Sequence, residues 1–366
     1  MSERKLVYKV TIDDIEPLPE ADRLEVARVG GWRIVTQKAQ FHAGDVALYF
    51  EIDSALNPHD DRFAFLRDRC YKKFNTPSGA LFDECFRIRT MKLRGVVSQG
   101  LLMPCEQFCE VRNKKLGEDC ADVLYVRHYD EVAERAAREQ GALKPTNQKG
   151  SFPDCIPKTD EERVQNLDDQ FFQDNYDVLF EVTEKRDGTS MTIAYMPSVR
   201  PDDPVAVCSR NFELYDMPSS YWDIVHRDKL DEKLSEYCRR NNVEIALQGE
   251  LTGPGIQSNR DSFESATFSI FRIWNIVEQR WLTWDERCIV CKDLGLTHVP
   301  IIDHVTLCTY DDAYGSYNIP DMRDNILAYA EGKTARGNER EGVVFKSVDG
   351  KIHFKAVSNR YLLGLK

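Results

Sequence analysis

No stretch of this 366-residue chain approaches the ~20 consecutive apolar residues that span a bilayer, so no membrane association is expected. The opening residues, Met1-Ser-Glu-Arg-Lys-Leu-Val-Tyr-Lys, contain no apolar signal core and already carry an acid, which argues against a secretory or transit leader. Excess positive charge is missing too. Forty-nine Lys and Arg stand against 61 Asp and Glu, a net charge of −12 with a pI near 5.2. That excludes a protein that coats nucleic acid through bulk charge, but not an enzyme with a local basic cleft. Acid runs such as Asp160-Glu161-Glu162 and Asp202-Asp203 read as solubilising surface. The eleven cysteines are an odd number in a long chain and read as reduced thiols of a cytoplasmic or nuclear protein. Cys288-Ile-Val-Cys291 has no second CxxC to complete a zinc site. Cys105, Cys109, Cys120 and His128 read as scattered side chains rather than a metal centre. Gly332-Lys-Thr334 lacks the upstream glycine of a P-loop, position 327 being Leu. There is no internal repeat.

What remains is the length and alternation of a two-domain globular protein. Residues 1–126 are rich in short strand patterns: Leu6–Ile12, Trp32–Thr36, Val46–Ile52 and a basic run, Phe86–Arg94, closed by Gly95. This spacing predicts a small OB-type β-barrel. Residues 127–156 read as an exposed helix over 127–141 and a polar linker. Residues 157–366 alternate strands and helices, giving an α+β class overall. Thr159 and Glu162 have capping-box spacing, which predicts a helix starting there.

The chemistry concentrates after the linker. Phe180-Glu-Val-Thr-Glu-Lys185 reads as a strand, and Lys185-Arg-Asp-Gly188 turns the chain directly after it. A primary amine at a strand end, with a carboxylate two residues on, can attack the α-phosphate of a nucleotide. Four residues of this kind recur by chance, and alone Lys185 reads as a solvated turn lysine. Four further segments follow in order: Ser209-Arg-Asn211, Gln248-Gly-Glu-Leu-Thr-Gly-Pro-Gly-Ile-Gln257 with Phe271-Arg-Ile-Trp-Asn-Ile276, Glu341-Gly-Val-Val-Phe-Lys346, and Phe354-Lys-Ala-Val-Ser358. Asp187, Glu250 and Glu341 fall at separate strand ends, where they can converge on a hard cation. A lysine of ordinary pKa ~10.4 must lose a proton to act as a nucleophile, so positive charge or desolvation is required beside it.

These five segments resemble the motifs of the covalent ligase and capping-enzyme superfamily. The N-terminal unit, the Lys-Thr-Asp-Glu-Glu-Arg-Val-Gln segment and the ending Phe-Lys-Ala-Val-Ser-Asn-Arg-Tyr-Leu-Leu resemble ATP-dependent RNA ligases of the Naegleria/Deinococcus type, relatives of phage RNA ligase 2. The resemblance covers nearly the whole chain. It implies an N-terminal OB domain and a C-terminal nucleotidyltransferase (adenylyltransferase) domain. It also implies ATP and Mg²⁺ or Mn²⁺, an RNA nick or RNA ends as substrate, and a lysyl-AMP intermediate on Lys185. By the same resemblance Asp187, Arg210 and Lys355 join Lys185 in catalysis, and Glu341 with Asp187 organises the metal. Glu184, Gly188, Glu250, Trp274, Lys346 and Arg163 contact the nucleotide. Trp274 would stack on adenine, Glu250 would hold the ribose, and Arg163 would reach the leaving pyrophosphate. Trp274 as core and Arg163 as a surface side chain are the plainer readings. Many relatives carry a second lysine two residues after the one matching Lys355; here that position is Val357, leaving Lys346, Lys351 or Arg360 to supply the charge. The rival readings are a DNA ligase, an mRNA guanylyltransferase and a catalytically idle RNA-binding protein. The first two normally place an OB domain after the fifth motif, and here 11 residues follow Lys355. A monomer is expected.

Overall fold

The computed structural model describes residues 4–18, 21–74, 84–129 and 147–364. The chain divides into two compact units, Met1–Pro145 and Thr146–Lys366.

The first unit is built from short antiparallel strands. β1 (Val7–Thr11) and a later strand flank β5 (Val46–Phe50), while β2 (Asp14–Pro17), β3 (Leu24–Val29) and β4 (Trp32–Gln37) form a meander. β5 is central because both of its faces are apolar. Leu48 and Phe50 enter one core cluster with Phe63, Phe86 and Phe108. Ala47 and Tyr49 enter another with Trp32 and Ile34. β6 (Ser54–Leu56), β7 (Tyr71–Lys73) and β8 (Glu84–Arg87) make a further sheet. The basic run expected as one strand is broken: β8 ends at Arg87, and β9 (Met91–Leu93) pairs instead with β10 (Val96–Ser98). β11 (Leu101–Pro104) is the other neighbour of β5. Its approach requires Gly100, at φ 95°, where a Cβ would lie 2.3 Å from the Tyr49 ring. β12 (Arg127–His128) pairs with β6, so the helix predicted over 127–141 does not begin at 127; residues 130–141 lie outside the described residues.

The second unit holds two sheets. The smaller runs β22 (Ile301–Val305), β14 (Phe180–Lys185), β23 (Gly342–Ser347), β24 (His353–Val357) in that spatial order. The larger contains β13 (Gln148–Ser151), β17 (Phe212–Leu214), β16 (Val205–Cys208), β15 (Thr189–Tyr195), β18 (Ile245–Thr252), β19 (Thr267–Asn275) and β20 (Arg280–Trp281), with β21 (Thr297–His298) also on β19. Residues 148–151, read from sequence as linker, thus form an edge strand. Helices Ser220–Asp228, Leu230–Asn241 and Trp284–Leu294 cover the larger sheet through Leu234, Cys238, Val290 and Leu294. Helix Ile319–Ala330 packs Met322 and Ile326 against Phe180, Phe345 and Phe354 of the smaller one. β14 lies in one sheet and β15 in the other, so the Arg186-Asp-Gly188 turn is the crossing between sheets. The Lys185-Arg-Asp-Gly188 tetrapeptide sits on that seam.

Candidate active site

Antiparallel pairing sets the site. Lys185, last in β14, stands opposite Gly342 of β23. That register brings Glu341 beside it, and Lys185 Nζ lies 2.6 Å from Glu341 Oε1. The register depends on Gly342, at φ 152°, where a Cβ would meet the Ala356 carbonyl at 2.2 Å. Across the turn, Ser190 of β15 pairs with Glu250 of β18. Gly188 permits that approach, since a Cβ there would lie 2.4 Å from the Leu251 carbonyl and 2.9 Å from Glu250 Cγ.

Electrostatics tie these groups together. Burial pulls the Lys185 ammonium down, but Glu341 and Glu250 outweigh it and hold its pKa above the ordinary value, while Arg163 opposes them. Glu250 is pushed up to about 8, chiefly by burial; Lys185 opposes the shift, and Glu341 and Asp187 add to it. Arg210 is half-exposed and ion-paired to Asp160 at 2.7 Å, yet its charge reaches Glu250. Without nucleotide the amine is therefore a paired ammonium, not the free base that attack requires. Sequence reasoning sought the lysine's activation in nearby cations; the structure surrounds it mainly with carboxylates.

Asp187 has partners other than the lysine. Its Oδ1 accepts from the Tyr361 hydroxyl at 2.9 Å and its Oδ2 from Ser258 Oγ at 2.6 Å, with Arg260 at 3.8 Å. Glu184 is buried beside Arg186 at 3.2 Å, and burial raises its pKa. Arg163 is buried, and its backbone bridges to Lys355 of β24 in parallel fashion. The Lys355 N–H donates to the Glu162 carbonyl at 2.8 Å. The helix predicted from Thr159 is absent: residues 157–163 run without helix, and a short 3-10 turn, Val164–Asn166, follows. The Glu162 carboxylate accepts from Arg163 N and Asn166 Nδ2 instead of from a cap residue.

Trp274 and Lys346, both expected to contact the nucleotide, have protein partners of their own. Trp274 pairs with Ala246, at the far end of the β18/β19 ladder from Glu250 and its partner Ser269. Its indole N–H donates to the Cys155 carbonyl at 3.0 Å, and its ring packs edge-on against Trp281 at 4.9 Å. Lys346 is buried in a network joining the sheets, its ammonium 3.2 Å from Glu181 and donating to the Phe271 carbonyl at 2.9 Å. Burial pulls its pKa down to about 8 despite Glu181. Of the other candidates for the missing motif charge, Lys351 pairs with Asp349 at 3.1 Å on the surface and Arg360 with Glu339 at 3.2 Å, while Val357 is buried. Ser258, Arg260, Asp261 and Tyr361 escaped sequence reasoning. Their contacts join separate loops, and no periodicity records that.

Among the described residues no three His, Cys, Asp or Glu side chains form a ready-made metal cage. The donor chemistry nonetheless fits a hard cation. Glu341 and Glu250 act on one ammonium, and Glu250 is kept from ionising chiefly by burial, with Glu341 and Asp187 adding to it, so carboxylate oxygens cluster where a divalent ion would be welcome.

A strand-end lysine paired to a carboxylate on a seam between two sheets is a layout suited to nucleotidyl-transfer chemistry. Comparison with known proteins narrows this. A family model described as RNA ligase matches residues 179–360, and an OB-fold domain model matches residues 6–105. A Naegleria gruberi RNA ligase solved without ligand is 34% identical, with TM-score 0.81 over 99% of this chain and 98% of that one. The same ligase solved with pyrophosphate is 34% identical with TM-score 0.81, covering 98% of each chain. A variant of it solved with ATP and Mn is 33% identical with TM-score 0.80, again over 98% of each. A search of curated proteins found no match. The chain belongs to the RNA ligase family. Its N-terminal part is an OB-fold domain and its C-terminal part the ligase nucleotidyltransferase domain.

Proposed function

We propose that Lys185 is the residue that carries AMP during ligation. The chain is an ATP-dependent RNA ligase that uses a divalent metal ion, and three in-line displacements account for that activity. Lys185 Nζ, having lost a proton, attacks the α-phosphorus of ATP, and pyrophosphate leaves. The 5′-phosphate of an RNA end then attacks the same phosphorus, and the lysine leaves. The 3′-OH of the other end attacks the activated 5′-phosphorus, and AMP leaves as the phosphodiester forms.

A divalent ion would be held by Asp187 and Glu341, directly or through water, and would supply charge neutralisation for the triphosphate. Glu341 keeps the amine aimed. Arg163, Arg210 and Lys355 supply positive charge where the phosphates develop negative charge. Glu250, protonated up to about pH 8, is able to donate as well as accept hydrogen bonds toward the ribose. Lys346 supports the reading indirectly, by tying the two sheets that form the seam. The observation that carries the proposal is the 2.6 Å Lys185–Glu341 pair beside Glu250.

The substrate is taken as a nick or a pair of RNA ends, and the acting species as a monomer. Eleven free cysteines support an intracellular setting, and no helix among the described residues is long and apolar enough to cross a membrane. The test is incubation with labelled ATP, GTP or NAD followed by denaturing electrophoresis. ATP should label wild type and leave Lys185→Ala unlabelled. Normal labelling of the folded variant would overturn the assignment.

A further inference from the structure

The acid run Asp160-Glu161-Glu162 reads from sequence as solubilising surface. In the fold it belongs to a strap. β13 ends at Ser151, and residues 152–163 then cross the face of the larger sheet opposite its helices. Alternation separates the two faces. Ile193, Val207 and Leu247 enter the helix-covered core, while Ala194, Ala206 and Ala246 pack with Phe152 and Ile156 of the strap. Further on, Gln248 Nε2 donates to the Pro157 carbonyl at 3.0 Å, Lys158 Nζ donates to Asn211 Oδ1 at 3.1 Å, and Arg210 pairs with Asp160. The strap then leaves the larger sheet. Glu162 and Arg163 lie along β24 of the smaller one through their backbone contacts with Lys355, and Val164 enters that sheet's core.

Glu161 stands at the crossing. Its Oε1 lies 3.8 Å from Arg272 Nη1 of β19, in the larger sheet, and its Oε2 meets His353 Nδ1 of β24, in the smaller. None of the three side chains is more than 9% exposed. Arg272 is itself fixed, its guanidinium 4.2 Å from the Trp281 ring centre. Burial opposes ionisation of Glu161, but Arg272, His353 and Lys346 outweigh it and hold the carboxyl below its ordinary value. A buried carboxylate is costly unless its charged partners stay in place, so this pair of contacts fixes where the strap passes from one sheet to the other.

The consequence falls two residues on. Arg163 is buried, and its charge acts on Lys185. Its main chain follows β24, and its distance from the lysine depends on where the strap leaves the larger sheet. Displacing a charge-stabilising group by about 1 Å can cost on the order of 10²-fold in rate.

We infer that Glu161 is a positioning residue for nucleotidyl transfer: by joining Arg272 and His353 across the two sheets, it holds Arg163 at the reacting phosphates. This rests on the ligase reading above.

The test follows single-turnover adduct formation by full-length protein with labelled ATP and Mg²⁺, below the melting temperature of each variant. Glu161→Gln keeps the shape and removes the charge. It should slow the step at saturating ATP roughly tenfold or more. The half-saturating ATP concentration should change less than about twofold, because the interaction lost is one made in the transition state. In an Arg163→Ala background the same substitution should alter the rate less than about twofold, since the group it positions is gone. His353→Ala breaks the junction from the other sheet and should behave alike in both backgrounds, which keeps the test decisive if Glu161→Gln does not fold. A glutamate that only stabilises the fold would lower Tm and slow both backgrounds by the same factor, and that result would overturn the role. Adduct formation as fast as wild type, or a loss confined to the half-saturating ATP concentration, would overturn it too. Labelling of wild type by ATP, and slower labelling of Arg163→Ala alone, report the ligase reading separately, so the two can fail independently.

Discussion

Replacing Glu250 by Gln should make the ligase domain more stable at alkaline pH while damaging its chemistry. Folding raises this carboxyl from the ordinary 4.5 to about 8, mainly through burial, with Glu341 and Asp187 adding to it. The folded chain therefore binds a proton that the unfolded chain releases, and stability contributed by the neutral acid is lost as pH rises from 4.5 through about 8. Each pH unit in that window costs about 1.4 kcal/mol, so the full span is on the order of 5 kcal/mol. The charge on Lys185 opposes the shift and takes up part of that span; about 2 kcal/mol is the expected gain from a side chain that cannot ionise. For the Thr146–Lys366 unit this corresponds to roughly 4–8 °C in Tm. The assay is thermal denaturation of both proteins from pH 5 to 9 without nucleotide and with a chelator. At pH 5 the two should melt within about 2 °C, because Gln copies the shape of the neutral acid. At pH 8.5 the variant should melt higher. A pH-independent difference, or a less stable variant at pH 8.5, would refute the argument that this carboxyl is held neutral.

Gly342→Ala should cost roughly 3 kcal/mol or more in urea unfolding and also prevent adduct formation, since its Cβ would strike the Ala356 carbonyl at a φ of 152°. A stable, active Gly342→Ala protein would show that the β14/β23 register tolerates a side chain. Tyr361→Phe removes the hydroxyl that holds Asp187 and keeps the ring under Arg260. It should cost about 1 kcal/mol of stability and raise the divalent-ion concentration that half-saturates adduct formation. An unchanged metal midpoint would leave Tyr361 a packing residue only.

Much of the site was readable because strands convert sequence spacing into place. Lys185 at the end of an apolar strand and Glu341 just before another needed only antiparallel pairing to meet, and alternation set Glu250 at the next strand's end. What the sequence did not reveal was decided by tertiary contacts. Thr159 and Glu162 have cap spacing, but Arg163 is drawn into a bridge with Lys355 and Glu161 is buried against Arg272 and His353, so the segment stays extended. Trp274 sits in an aromatic-rich motif, yet its indole is claimed by the Cys155 carbonyl and Trp281. Lys346 belongs to the fourth segment, but an inward-facing lysine opposite Glu181 serves the seam. The contacts of Asp261 with Arg186, Thr334 and Asn338 are written in loop residues whose partners lie in other loops, and only the folded chain reveals them.

The Lys185–Glu341 pair also bears on how the enzyme comes into being. The two residues belong to strands that are neighbours in the sheet but distant in the chain, and β14 is synthesised well before β23. Until β23 docks, the lysine has neither its aiming carboxylate nor the closed seam around it. Strand docking of such long range is among the slower events of folding. Reactivity toward ATP therefore arrives late, after the sheet has zipped shut. A chain in which β23 has not docked is therefore expected to form no adduct.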